Sequence, residues 1–425
     1  MARLLIRNGR VISPADELDG QLDLLIEDGE IREIAPKLSG HAYETLDAGG
    51  QIVAPGFVDI HVHLREPGGE VSETLETGLR AAVAGGFTSV CPMPNTRPVN
   101  DNPELTSWLV RRSEELKLAR VFPIAAVTMG SQGETLTDFA ALVAAGAVGF
   151  SDDGRPVKTE SLMKEALKKA KDLGVPIIDH CEVPELSAGG IINEGVYSKA
   201  LGLRGIPNSA EDDCIARDIR IAAATGGRLH VAHLSTVGGV QMVREAKSRG
   251  LQVTCEVTPH HFSLTDDAVR RYGTHAKMNP PLRKTADVEA VVAGIQDGVV
   301  DAIVTDHAPH AAELKSRPIA EAPFGVIGLE TSLALGLKQL VHSGKITLSQ
   351  LIALMTSKPA RIINKPVGRI QVGGVADLTL LDPDLEWTYR AADGYSKSHN
   401  SPFDGWEFRG AVTATIVGGR TVFRR

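Results

Sequence analysis

The chain of 425 residues carries 45 basic and 53 acidic side chains, for a formal net charge of −8, and is 43% hydrophobic and 23% charged. That composition supplies a large core and excludes a disordered or collagen-like chain, while the negative balance argues against a nucleic-acid or anionic-membrane binder. Apolar runs stay short of the ~18 residues of a spanning helix, the opening Met1-Ala2-Arg3-Leu4-Leu5-Ile6-Arg7 lacks a secretory leader pattern, and the four cysteines show no Cys-x-x-Cys spacing, so a cytoplasmic protein with reduced thiols is expected.

In chain order, residues 3–54 alternate strand-like pieces at 4–6, 22–27 and 31–34 with the turn pairs Asn8-Gly9 and Asp28-Gly29. From 56 to 306 eight short runs rich in Val, Ile, Phe and Ala read as buried parallel strands: 56–62, 87–91, 121–127, 147–151, 175–179, 228–232, 251–257 and 302–305. Helical patterns at 72–84, 103–118, 137–145, 160–173, 211–224, 238–249 and 286–296 separate them. Strand-like pieces return at 376–381, 411–417 and 420–423. This alternation predicts an α/β fold, a (β/α)8 TIM-type barrel over 55–367, with a small β-sandwich domain assembled from 1–54 and 368–425. The alternative is an open doubly wound sheet, but no G-x-G-x-x-G follows the first strand and no Walker A sequence occurs. Two connections, 182–210 and 308–329, are long enough to be expected to serve function.

The strand ends carry the chemistry. His61 and His63 stand two apart on the first run, so both imidazoles project from one strand face, a ready half-site for a metal. Four further runs end in a carboxylate or a histidine, at Asp153, His180, His233 and Asp306. In a barrel the carboxyl ends of the strands converge on one face, so these six residues would share a pocket. Imidazole and carboxylate without cysteine suit zinc in a catalytic rather than a thiolate site. Six ligands exceed what one four-coordinate zinc takes, so either two metals share them or some stand behind the ligands; two metals bridged by a carboxylate is the more economical account. Two dications against two carboxylates and a hydroxide leave one net positive charge, which favours an anionic substrate.

Other histidines read differently. His230 lies an odd offset from His233 and is expected to face the helices as a structural residue, and Asp179 to point away from His180. His260 and His261 follow the seventh run and are weighed as supporting or substrate-loop groups over direct ligands. His41, His275, His342 and His399 fall outside strand ends and read as solvated or structural.

With these residues in place the sequence resembles the amidohydrolase superfamily, and more narrowly the class I dihydroorotases of bacteria. The resemblance runs through GFVDIHVHLREP at 56–67, PMPNT at 92–96, FSDDGRP at 150–156, KMNPPLR at 277–283, TDHAPH at 305–310, APFG at 322–325 and GRIQVGGVADLTLLD at 368–382. It implies zinc-dependent, reversible ring closure of N-carbamoyl-L-aspartate to L-dihydroorotate in pyrimidine biosynthesis. It further implies two Zn²⁺ per subunit, one held by His61, His63 and Asp306 and the other by His180 and His233, bridged by Asp153 and a hydroxide. Asp306 becomes the proton carrier. Arg65 and Asn95 become contacts for the substrate α-carboxylate, where a guanidinium fork bonds in bidentate fashion; His63, Asn279, His310, Phe324 and Gly325 are the remaining substrate contacts. Hydantoinases bridge their metals with a carbamylated lysine, whereas this strand ends Phe150-Ser151-Asp152-Asp153 and reaches no lysine until Lys158, which weighs against that branch. Members of the superfamily that lost their ligands serve as scaffolds, and the presence of all six argues against that reading. The resemblance also implies a homodimer and association with aspartate transcarbamoylase.

Overall fold

The computed structural model of the protein describes residues 3–39 and 44–425. The N-terminal segment forms β1 (Arg3–Ser13), β2 (Leu18–Glu27), β3 (Glu30–Ala35), β4 (Glu44–Asp47) and β5 (Ile52–Pro55). Short strands follow: β6 (Phe57–Val62), β7 (Phe87–Pro92), β8 (Arg120–Val121), β9 (Ile124–Ala125), β10 (Gly149–Phe150), β11 (Ile177–Asp179), β12 (Ile192–Asn193), β13 (Gly205–Ile206), β14 (Leu229–Val231), β15 (Val253–Val257) and β16 (Ala302–Ile303). The C-terminal segment adds β17 (Leu378–Thr388), β18 (Glu407–Val417) and β19 (Arg420–Arg424).

Both ends of the chain share one eight-stranded sheet, in the order β19-β18-β17-β5-β1-β2-β3 with β4 also paired to β1. Asp28 (φ 52°) takes the left-handed position of the turn expected at 28–29, whereas Asn8 (φ 62°), expected to turn the chain with Gly9, lies inside β1, where the pair forms a bulge against β2 instead of ending the strand. The join between the ends is β17 running antiparallel to β5, with Leu378 opposite Pro55 and Leu381 opposite Ile52. Leu4, Ile6, Val11, Leu24, Ile26, Ile31, Leu378, Leu380 and Ile416 form a core of their own on this sheet.

The middle of the chain alternates parallel strands with helices, an α/β arrangement. β6, β7 and β8 form one parallel sheet and β9, β10, β11, β14, β15 and β16 a second. The single strand expected at 121–127 is two, because Pro123 has no N–H to give a ladder; β8 pairs with β7 and β9 with β10, so this segment passes from one sheet into the other. At the opposite margin His63 N–H donates to the His307 carbonyl (2.8 Å), and Val62 and His307 form a parallel bridge. Helices between the strands start where capping side chains stop them fraying: Asn102 accepts from the Leu105 N–H at the start of Pro103–Leu116, and Thr159 from Leu162 before Glu160–Asp172. The strands are buried on both faces. One face packs Phe87, Phe150, Ile177, Val231 and Val257 against helix residues such as Leu109, Leu167 and Ile215. The other packs Val58, Ile60, Cys91, Ile124, Val148, Ile178, Ala302 and Val304 over Ala360, Ile362 and Ile363.

The connection at 182–210 is structured rather than open, with helices Pro184–Ser187 and Val196–Ala200 and the pair β12–β13; the segment 308–329 carries the short helix Ala312–Lys315. Among the described residues no helix is long and apolar enough to cross a membrane.

The terminal sheet is tied to the parallel strands by Asp377, which accepts from Arg120 through both oxygens (2.6 and 3.1 Å) and from the Gly418 N–H (2.7 Å). Asp377→Ala is expected to destabilise the fold by about 1–3 kcal/mol, toward the lower end because Arg120 is 38% exposed. A chemical-unfolding midpoint unchanged from wild type would show that this tie is not needed.

Candidate active site

The carboxyl ends of the parallel strands bring His61, His63, Asp153, His180, His233 and Asp306 into one cluster, none more than 8% exposed. Asp306 Oδ1 lies 3.1 Å from His63 Nε2 and 3.6 Å from His61 Nε2. Asp153 sits between the histidines: Oδ1 is 3.4 Å from His61 Nε2, 3.7 Å from His180 Nδ1 and 3.9 Å from His233 Nε2, and Oδ2 is 3.5 Å from His63 Nε2. His180 Nδ1 faces His233 Nε2 at 2.9 Å. Two of the pocket-forming residues, His233 (φ 31°) and Asp306 (φ 45°), take left-handed backbone positions that side chains other than glycine rarely adopt, a strain typical of functional sites.

This donor set fits a metal. The ligating atoms of His61, His63 and Asp306 lie within 4.8 Å of one another, as do those of His61, Asp153 and His233. His61 Nε2 and His233 Nδ1 are buried with no hydrogen-bond partner, a costly arrangement for a polar atom unless something else binds it. All donors are imidazole nitrogen or carboxylate oxygen, the chemistry of a hydrolytic divalent ion. Burial opposes charge on Asp306 and on Asp153, yet the imidazoles around them, His63 at the first and His180, His233 and His61 at the second, hold both carboxyls below the usual carboxylate range.

Facing the cluster is a cavity of about 210 Å³ lined by Arg65, Asn95, Asn279, His310, Phe324 and Gly325 among others. A larger cavity, about 590 Å³, lies at the opposite strand ends near Pro176, Arg228 and Asp301 and contains none of these residues. Arg65 does not pair with Glu66, whose carboxylate is taken by the Leu75 N–H (2.7 Å); its Nε donates to the Pro309 carbonyl (3.1 Å), and burial pulls its pKa down to about 10. The amide of Asn95 stands between ligands, Oδ1 accepting from His63 Nδ1 (2.9 Å) and Nδ2 donating to Asp153 (3.1 Å). Asn279 Nδ2 donates to Glu182 (3.0 Å), leaving its buried Oδ1 unpartnered. His310 Nε2 donates to the Phe324 carbonyl (2.7 Å), and burial with the charge of Arg65 depresses this imidazole to about 3, so it is neutral. Gly325 (φ 132°) admits no side chain, since a Cβ there would meet Ala308 and His310 at 3.0 Å or less.

Beneath the ligands lies Glu256, which sequence reasoning passed over because a lone acid in mid-strand carries no motif. Its carboxylate takes both His61 Nδ1 (2.5 Å) and His230 Nε2 (3.0 Å). Burial would neutralise it, but the two imidazoles pull its pKa down to about 2. His230 therefore faces inward, contrary to expectation. β14 ends at Val231 and the chain turns through the left-handed His233, so alternation counted back from His233 gives the wrong face; the cross-strand partners Ile178 and Thr254 fix the inward one. Asp179 does turn to the helix Asn208–Thr225, toward Cys214 and Arg217. His261 is held by Thr258 (2.8 Å) and the Pro280 carbonyl (3.0 Å), while His260 keeps an unpartnered Nε2, its pKa pushed to about 4 by burial. His275, His342 and His399 stay away from the cavity, and His41 lies outside the described residues. From the far end of the chain, Asn400 reaches the rim, donating to the Ala308 and Gly325 carbonyls (both 3.0 Å). Because Glu256 fixes the tautomer of His61, Glu256→Gln is expected to weaken metal retention about 10- to 100-fold in competition with a chelator; retention equal to wild type would remove that role.

Comparison with known proteins adds the family. The Dihydro-orotase-like family model matches residues 50–238 and the Amidohydrolase family model residues 206–423. The chain is 51% identical to the dihydroorotase of Pelobacter propionicus, over 99% of this chain and 100% of that one, and 50% identical to the dihydroorotase of Solibacter usitatus, over 98% and 97%. Its fold is similar to that of the L-hydantoinase (dihydropyrimidinase) of Arthrobacter aurescens, with a TM-score of 0.90 at 28% identity over 100% of this chain and 96% of that chain. Matching dihydroorotases along its whole length, the chain belongs to the dihydroorotase family of amidohydrolases.

Proposed function

We propose that this chain catalyses the reversible, zinc-dependent closure of N-carbamoyl-L-aspartate to L-dihydroorotate with release of water, in the biosynthesis of UMP. The observation that carries the reading is Arg65, a guanidinium without a carboxylate partner among the described residues, opening on the same cavity as the buried histidine–carboxylate cluster. A neutral cyclic amide, the substrate class that the hydantoinase likeness suggests, has no use for it.

In this reading two zinc ions per subunit would be held, one by His61, His63 and Asp306 and the other by His180 and His233, with Asp153 shared. When bound, zinc supplies Lewis acidity toward the scissile carbonyl and a nucleophilic water at neutral pH. The protein's own groups do the rest. Arg65 and Asn95 bind the α-carboxylate and so fix the ring over Asp306, while Asn279, His310 and the backbone of Phe324 and Gly325 hold its polar edges. In ring opening Asp306 accepts one proton of the attacking water and delivers it to the departing ring nitrogen, and the new carboxyl loses the other to solvent; in ring closure Asp306 takes the proton from the carbamoyl nitrogen and returns it to the leaving oxygen, which departs as water with a second proton from solvent. A carboxylate held ionised beside His63 is suited to accept first.

The finer architecture belongs to the same proposal. The two parallel sheets, joined through residues 120–125 and through the Val62–His307 bridge, support a (β/α)8 barrel over 55–367. The eight-stranded sheet shared by both ends of the chain, with its separate core, supports a small β-sandwich domain from 1–54 and 368–425. The family resemblance supports a cytoplasmic homodimer that associates with aspartate transcarbamoylase.

Interconversion of L-dihydroorotate and N-carbamoyl-L-aspartate, followed in the ultraviolet, tests the reading: turnover is expected to vanish on chelation and return with zinc, and turnover that survives chelation would refute the metal role. Asp306→Ala is expected to lose about 10²- to 10⁴-fold in kcat, and near-wild-type turnover would end its assignment. Arg65→Met should raise KM for L-dihydroorotate far more than it lowers kcat; an unchanged KM would remove the carboxylate contact.

A further inference from the structure

Two lysines stand behind the cavity wall, unused by the mechanism above. Lys277 and Lys315 are each 3% exposed, an unusual place for an ammonium group. Lys315 Nζ donates to the carbonyls of Gly325 (2.9 Å), Pro323 (3.0 Å) and Lys277 (3.4 Å). Lys277 Nζ donates to those of Ile319 (2.6 Å), Ala322 (2.6 Å) and Ala320 (3.5 Å), and lies 4.5 Å from the centre of the Phe324 ring. All six acceptors are main-chain carbonyls, and among the described residues neither ammonium has a carboxylate within ion-pair distance.

Carbonyls solvate an ammonium but do not cancel its charge. A protein that needed only to pin this segment could do so with apolar side chains or neutral donors, without the cost of desolvating two like charges side by side. The cost is visible at Lys315, whose pKa burial and the charge of Lys277 pull down to about 7. The residues the pair holds, Phe324 and Gly325, line the cavity. The field crosses that wall: Lys315 and Arg65 are among the groups that depress His310 on the cavity side.

We propose that Lys277 and Lys315 are specificity-determining residues, whose uncompensated buried charges tune the cavity for a ring bearing a carboxylate over the same ring without one. The inference rests on the functional reading above and adds a source of anion selectivity that does not touch the substrate. Because both side chains are shut off from bulk water, each charge acts across several ångströms without the screening that solvent would give.

The experiment uses the zinc-loaded enzyme at about pH 6, where Lys315 carries its charge, with Lys315→Gln and, separately, Lys277→Gln, which keep a donor for the carbonyls and remove the charge. KM for L-dihydroorotate is compared with the inhibition constant of dihydrouracil, the same ring lacking the carboxylate. Each variant is expected to raise the first about 10-fold and leave the second within about 2-fold. A role confined to holding the segment would weaken both ligands in parallel, and that outcome, or no change in either, overturns the proposal. Folding is checked by circular dichroism and zinc content; should one variant not fold, the other decides. A wild-type enzyme inert toward L-dihydroorotate removes the functional reading and this inference with it, whereas an active wild type with unselective variants removes this inference alone.

Discussion

Everything at the mouth of the parallel strands depends on how one buried carboxylate is paired. Glu256 has no access to solvent, and a charge there survives only because two imidazoles hold it. The pairing settles the proton on His61 Nδ1 and turns the bare Nε2 toward Asp153 and Asp306. Asn95 does the same for His63 from above, accepting from Nδ1. The ligands are thus aimed before anything binds, and the orientation costs nothing at the moment of binding.

Much of this was legible in the sequence, for a physical reason. A buried parallel strand must be apolar, so a histidine or carboxylate at its end stands out, as His61, His63, Asp153, His180, His233 and Asp306 do. Residues that act through those ligands carry no such contrast. Glu256 sits inside its strand among apolar neighbours, and alternation along the sequence puts its partner His230 on the wrong face because a left-handed residue interrupts the two-residue period. Lys277 and Lys315 fall in connections, where a lysine ordinarily reads as solvated; only the fold reveals that carbonyls surround them.

The long C-terminal connection between β17 and β18 joins the two halves of the structure at the site. Asn400 bonds the Ala308 and Gly325 carbonyls, Ser398 donates to the Ser72 carbonyl (2.7 Å), and Ser396 donates to Glu73, which also contacts His307 (3.3 Å). These residues lie over three hundred positions from Glu73 yet hold the same rim. The terminal sheet is therefore more than a separate support: its connecting segment sets the height of the wall that Phe324 and Gly325 present to the cavity.

Placing β17 beside β5 has a consequence for how the molecule is made. On the ribosome β1 to β5 emerge more than three hundred residues before the strand that covers β5, so that edge waits, unpaired, through most of synthesis. A polypeptide released early would keep the open edge and lack the segment that carries Asn400. Closure of that edge and assembly of the rim that Asn400 holds therefore both wait for the C-terminal segment.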